Sequence, residues 1–249
     1  MVNPPPKPPA DIDSRDRDYD AAFCVEQGDG AFFGGDIKLA LRWYTRAIDK
    51  DPRSPKPWVM MLHVLIFKGN LAEFAAWVHR GMTLFPDSFE LKALSAVQEA
   101  RRGMAAQALA DSQEVIQRKP NLAMGRLCRG EVLMVTGDRR FDHEFRTGLD
   151  MVPRQDWKTP LIIGMILMNG GHHNRALEYF NEAQRRNQEA PEIWYQIALC
   201  HAAKGRRLPM KRAIEQVRLL CSETDPLLTR LVHIRSGSIL SRITGFWKS

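Results

Sequence analysis

Adjacent histidines, His172 and His173, follow Gly171 and offer imidazole donors of the kind a metal site uses. No Cys, Asp or Glu stands beside them at a ligand-like spacing, so a solvated turn accounts for the pair. A thiol and an imidazole could act as nucleophile and base in two places, Cys128 with His143 and Cys200 with His201. Neighbouring residues on a helix diverge by about 100°, which separates the second pair. The first pair falls on successive helices, and no acid is placed to orient its base. The four cysteines, Cys24, Cys128, Cys200 and Cys221, have the spacing of neither a metal knuckle nor a disulfide frame, and read as buried free thiols. No glycine loop follows a strand to cradle a phosphate, and no strand is expected at all. Catalysis is therefore not expected, nor is a metal or any cofactor.

Charge is placed unevenly along the 249 residues. Residues 1–125 hold 16 Lys+Arg and 16 Asp+Glu, whereas residues 204–249 hold 10 basic and 3 acidic side chains and account for the net charge of +7. One end of the molecule is basic and suits an anionic contact. The longest apolar runs, such as Val59 to Phe67, fall short of the ~18 residues that a spanning helix needs. The chain opens on Pro4, Pro5, Pro6, Pro8 and Pro9 and then alternates Asp and Arg to Asp20. Residues 1–20 read as a disordered arm, not a secretory leader, and a cytoplasmic location is expected.

The elements that carry these residues are marked by a glycine every 34 residues: Gly35, Gly69, Gly103, Gly137, Gly171 and Gly205. At a background of ~7% glycine, six in phase arise by chance about once in 10⁷. Pro52, Pro86 and Pro120 keep the same beat. Two helices of about 13 residues with tight turns use about 34 residues, so the period predicts a stack of helix hairpins. The glycine closes the first helix of each hairpin in a left-handed conformation, and Asp36, Asn70 and Asp138 follow to cap the second helix. The proline ends that second helix. Pro153 arrives one residue early, which predicts a change of superhelical twist near residues 141–156. An apparent three-residue insertion lies around Leu208–Pro209. Pro226 to Arg235 reads as a terminal amphipathic cap carrying Leu227, Leu228, Leu231 and Val232.

Within each unit the pattern resembles the tetratricopeptide repeat, with a large residue at the fourth position, small residues at the eighth and twentieth, an aromatic at the twenty-fourth and proline at the thirty-second. Residues 21–54 carry Gly28, Ala40, Tyr44, Ala47 and Pro52 at those places; residues 55–88 carry Trp58, Gly69 and Pro86; residues 157–190 carry Gly164, Ala176, Phe180 and Ala183. The likeness covers about residues 21–225. It implies an all-α, right-handed superhelical solenoid of about six repeats plus a capping helix over residues 21–236, and a non-catalytic adaptor or scaffold.

The same resemblance implies which residues line the concave groove, namely those at set positions of each first helix. These are Val59, His63, Ile66, Leu127, Glu131, Met134, Leu161, Met165, Met168, Tyr195 and Leu199. The wall is apolar and methionine-rich, suited to holding a partner peptide or helix; some of these residues would equally serve as core between repeats. Lys and Asn, which some members use to clamp a C-terminal acid, are missing there. Nucleic acid is not expected, because the faces that read RNA in related repeat families are aliphatic here. No small-molecule substrate is expected either. Beyond Ser236, Gly237 and Ser238, a second docking element spans 237–249. Its Ile239, Leu240, Ile243, Phe246 and Trp247 share an arc of about 120°, with Arg242 beside it and Lys248 opposite. The alternative function is a peripheral membrane or assembly-targeting protein that uses this basic end, with weak contact to an anionic membrane.

Overall fold

The computed structural model describes residues 19–235, which form thirteen α-helices and, among these residues, no strand. Six hairpins come first: α1 (Ala21–Phe33) with α2 (Ile37–Lys50), α3 (Pro55–Lys68) with α4 (Leu71–Leu84), α5 (Phe89–Arg101) with α6 (Ala105–Arg118), α7 (Ala123–Val135) with α8 (Phe141–Asp150), α9 (Lys158–Asn169) with α10 (His173–Arg186), and α11 (Pro191–Ala203) with α12 (Arg207–Leu220). The cap α13 (Pro226–Arg235) follows. No helix among the described residues is long and apolar enough to cross a membrane.

All six periodic glycines have positive φ, between 65° and 82°. Each is followed by an amide that donates back to the carbonyl five residues earlier, as Asp36 N does to Ala31 O at 2.8 Å and His172 N to Leu167 O at 2.8 Å. This is the bond that closes a helix through a left-handed residue. Asp36 and Asn70 then accept from Leu39 N and Glu73 N and start α2 and α4. Asp138 departs from expectation. It accepts from Arg140 N at 2.8 Å and pairs with the Arg140 guanidinium, so it builds an extra turn, and α8 begins only at Phe141.

Hairpins close because the eighth position lets an aromatic ring lie flat on the first helix. A Cβ on Gly164 would stand 2.4 Å from the Phe180 ring. In the fourth repeat the ring is Phe145, fifteen residues after Gly130 where the first and fifth repeats use sixteen, so the missing residue falls before that ring. Helix α8 is accordingly ten residues long, and a non-helical stretch at 151–157 precedes α9. Packing between α8 and α9 is sparse beside that at the other junctions between repeats. Arg186 Nη1 bridges the stretch by donating to Asp156 O at 3.0 Å.

Three sequence expectations shift. Tyr19 and Asp20, assigned to the disordered arm, belong to the folded unit: Asp20 caps α1, and the Tyr19 ring stacks on Phe23 at 4.4 Å. The insertion at Leu208–Pro209 is not there, because both residues lie in the first turn of an unbroken α12, where proline's missing N–H goes unused. The third change is the largest. The stack closes on itself, with α1 packing against α11 and against the start of α9. Residues 1–18 of the expected arm lie outside the described residues, as do Ile239, Leu240, Ile243, Phe246 and Trp247 of the expected docking element.

Candidate functional site

The residues expected to line an open groove are covered. Val59, His63, Ile66, Leu127, Glu131, Leu161, Met165, Met168, Tyr195 and Leu199 are each 7% exposed or less, and Met134 is half-buried. In this closed stack the first helices of the hairpins contribute these residues to one shared core. Several polar groups of that core are partnered, whereas the indole Nε1 of buried Trp58 has no hydrogen-bond acceptor among the described residues. Arg101 of α5 pairs with Glu131 of α7 and donates through Nη1 to Ile66 O of α3 at 3.0 Å. His63 of α3 meets Met124 Sδ of α7 at 3.2 Å. Burial, with the Arg101 charge nearby, brings the His63 imidazole down to about 4.

Closure of the ring depends on a few long-range contacts. Gln196 Nε2 of α11 donates to Phe33 O at the end of α1, at 2.7 Å. The Phe33 ring stands 5.8 Å from Trp157. Lys158, the first residue of α9, pairs with buried Asp29 of α1, whose other oxygen accepts from Tyr44 OH at 2.7 Å. Arg230 of α13 donates to Gly34 O at 3.1 Å and to Asp36 Oδ2 at 2.7 Å.

Where first and last repeats meet they leave a cleft of about 430 Å³. Helix α1 forms one wall with Glu26, Gln27, Gly30 and Phe33, and α2 adds Leu39 and Trp43. The opposite wall consists of three helix starts: Trp157 and Lys158 of α9, Pro191 and Glu192 of α11, and Asp225, Pro226, Leu227 and Arg230 at α13. Both cations of the cleft are engaged, Lys158 by Asp29 and Arg230 by Asp36. Glu26, Glu192 and Asp225 have no ion pair among the described residues, so the unpaired charge is negative. Asp225 accepts from Leu227 N at 2.8 Å. Glu192 reaches across towards α1, where a Cβ on Gly30 would lie 3.8 Å from its Oε1. Burial pushes the Glu192 carboxyl above its ordinary value, and Asp225 adds to the effect, while its own backbone N–H and Lys158 pull the other way. An aromatic and carboxylate-lined recess of this kind suits a cation carried on an apolar stem.

The residues with catalytic types do not come together. Burial raises Cys128 well above the ordinary thiol value and takes Cys200 up to about 11, so neither is a ready nucleophile. His172 precedes α10 and packs its ring 4.9 Å from Phe141. Among the described residues no group of three His, Cys, Asp or Glu could hold a metal ion. The cleft itself was missed in the sequence. Phe33, Trp43, Trp157 and Glu192 sit on three hairpins, and nothing in their spacing signals that they meet.

Residues 161–189 match the tetratricopeptide repeat family. No curated protein matches the chain. Among solved structures, the chain is similar to the APC/C hetero-tetramer Cut9-Hcn1 at 15% identity over 90% of this chain and 43% of that one, with a TM-score of 0.44. It thus spans less than half the length of that relative. It is also similar to PilW, a type IV pilus biogenesis factor, at 15% identity over 85% and 98% of the two chains, with a TM-score of 0.46. YrrB, described as a TPR protein with an unusual peptide-binding site, aligns at 15% identity over 78% and 97%, with a TM-score of 0.41. The repeat matched at 161–189 is the fifth of six glycine-closed helix hairpins set at a constant interval of 34 residues, so the described residues form an all-α helical repeat solenoid that contains a tetratricopeptide repeat.

Proposed function

We propose that the chain is a non-catalytic protein-interaction scaffold whose partner contact is the cleft between its first and last repeats. The observation that carries this reading is the cleft's chemistry, in which the half-buried Trp43 and Trp157 stand beside Glu26, Glu192 and Asp225. A basic and apolar peptide segment supplies what both sets lack, a charge for the carboxylates and hydrocarbon for the rings. The inner-wall residues, Leu127 and Met165 among them, would meet a peptide only if the ring opened. Four free thiols, three of them buried, agree with a reducing cytoplasm as the place of work.

Calorimetric titration of the full chain with a short Lys- and Trp-containing peptide, and with its charge-reversed counterpart, tests the reading. The basic peptide should bind, and Glu26→Gln with Glu192→Gln should weaken it about tenfold, equivalent to about 1.4 kcal/mol. Equal binding of both peptides, or binding indifferent to the substitutions, would refute it.

A second reading is favoured by α12. Its outer face leaves Leu208 and Leu219 exposed among Arg207, Lys211 and Arg212, beside an Arg218–Glu215 pair. An apolar face among cations suits an anionic membrane surface. Co-sedimentation with phosphatidylserine vesicles that is lost with Leu208→Glu and Leu219→Glu would support this contact, and sedimentation unchanged by them would remove it.

A further inference from the structure

We infer that in the free protein the closure cleft is filled by the chain's own segment 236–249, which thereby competes with any partner for that site. The inference rests on the reading of the cleft as a receptor for basic apolar segments and names its resident occupant.

Placement is the first argument. Helix α13 lines the cleft with Pro226, Leu227 and Arg230 and runs directly into the segment. Ten helical residues rise about 15 Å, whereas fourteen extended residues span up to about 50 Å. The segment therefore has length enough to turn back along the whole of α13 and enter the cleft. Ser236, Gly237 and Ser238 stand where that reversal is needed.

Charge is the second. Residues 236–249 contain Arg242 and Lys248 and no acid, while Glu26, Glu192 and Asp225 await a cation. The cleft's own cations do not meet that demand, since Lys158 and Arg230 are held by Asp29 and Asp36. Apolar matching is the third. Ile239, Leu240, Ile243, Phe246 and Trp247 give the segment five large apolar side chains, and half-buried Leu39, Trp43 and Trp157 offer the complementary surface.

Tethering favours this occupant over one from another molecule. A short flexible link gives an effective concentration on the order of 1 mM, so a cis contact with a Kd of ~0.1 mM is about 90% filled. A free partner of equal affinity at micromolar concentration leaves the cleft nearly empty. Occupancy by the segment then sets the threshold that a partner must exceed.

The test uses the full chain with Cys221→Ser, in which the remaining cysteines, Cys24, Cys128 and Cys200, are buried. Trp247→Cys is labelled with bimane, a fluorophore quenched by contact with tryptophan. No other tryptophan lies in the segment, so quenching reports approach to the folded repeats. The expected result is a quenched label whose emission rises several-fold when Trp43→Phe and Trp157→Phe are combined. Glu192→Lys should also raise it, and Arg242→Glu in that background should restore the quenching. Quenching must stay constant from about 0.1 to about 10 µM protein, because a tethered site is independent of concentration.

An unquenched label in a chain with native circular dichroism overturns the inference. Quenching that grows with concentration overturns it too, and assigns the occupant to a second copy. Quenching indifferent to Trp43 and Trp157 overturns it by placing the segment elsewhere. If the label is free while the basic peptide still binds, the cleft stands as a receptor and only the occupant is wrong. If neither binds, both fail.

Discussion

Acid should loosen this protein, and His63 sets how far. Its imidazole is buried on the inner wall against Met124 Sδ, near the Arg101 guanidinium, and titrates at about 4 in place of 6.5. The unfolded chain therefore takes up a proton at this residue first as the pH falls. The stability attached to neutral His63 is intact above about pH 7 and is lost between there and pH 4. A difference of about 2.5 units corresponds to about 3 kcal/mol in full, of which about 2 kcal/mol has gone by pH 5. Glu99 works in the opposite sense. Burial and its neighbour Asp111 raise it to about 7, so its protonation favours the fold as the pH falls. Comparison with His63→Met cancels that contribution, because Glu99 is present in both proteins. Urea unfolding at pH 7.5 and pH 5.0 measures the difference. The native chain should lose about 2 kcal/mol more than the variant between these pH values. Equal losses would mean that His63 is hydrated and that the inner wall is open to water after all.

Other substitutions probe separate parts of the ring. Met165→Glu or Leu127→Glu places a carboxylate in the shared core, and each should cost at least about 3 kcal/mol by thermal melting; an unchanged melt would restore these positions to an open groove. Gly164→Ala drives a methyl group into the Phe180 ring and should destabilise by about 1–3 kcal/mol despite alanine's better helix propensity, so a gain in melting temperature would contradict the packing described. Lys158→Met strips buried Asp29 of its cation and should cost about 1–3 kcal/mol, most of it recovered by adding Asp29→Asn; additive losses in the pair would deny their coupling. Amide exchange followed by mass spectrometry should find 151–157 opening faster than the turns at Pro52, Pro86 and Pro120, and uniform protection would contradict the weak α8–α9 junction.

What the sequence reveals here is local. Gly35 and its five counterparts announce left-handed helix ends because only glycine adopts that backbone without strain, and the aromatic at Phe180 needs the bare Gly164 opposite it. The early Pro153 likewise foretells the shortened α8. Leu208–Pro209 misleads because proline's place depends on where a helix starts, and here it starts at Arg207. The site is another matter. Whether Leu161 or Tyr195 faces water depends on the superhelical pitch, a small angle accumulated over six hairpins that no single residue encodes. The closing contacts, Lys158 with Asp29 and Gln196 with Phe33 O, lie 129 and 163 residues apart and follow no periodicity.

Closure also fixes the repeat count. An open stack tolerates duplication or loss of a unit, because each unit touches only its neighbours. In this chain one hairpin more or fewer would displace α11 from α1 by roughly two helix diameters, about 20 Å, leaving Asp29 without its cation and Gln196 Nε2 and Phe33 O without each other. Growth by duplication, the ordinary route by which repeat arrays lengthen, is thus barred unless the seam is rebuilt at the same time. Unfolding is constrained likewise. Fraying inward from a terminal repeat requires the seam to part first, so the molecule should lose its hairpins in one transition instead of by degrees.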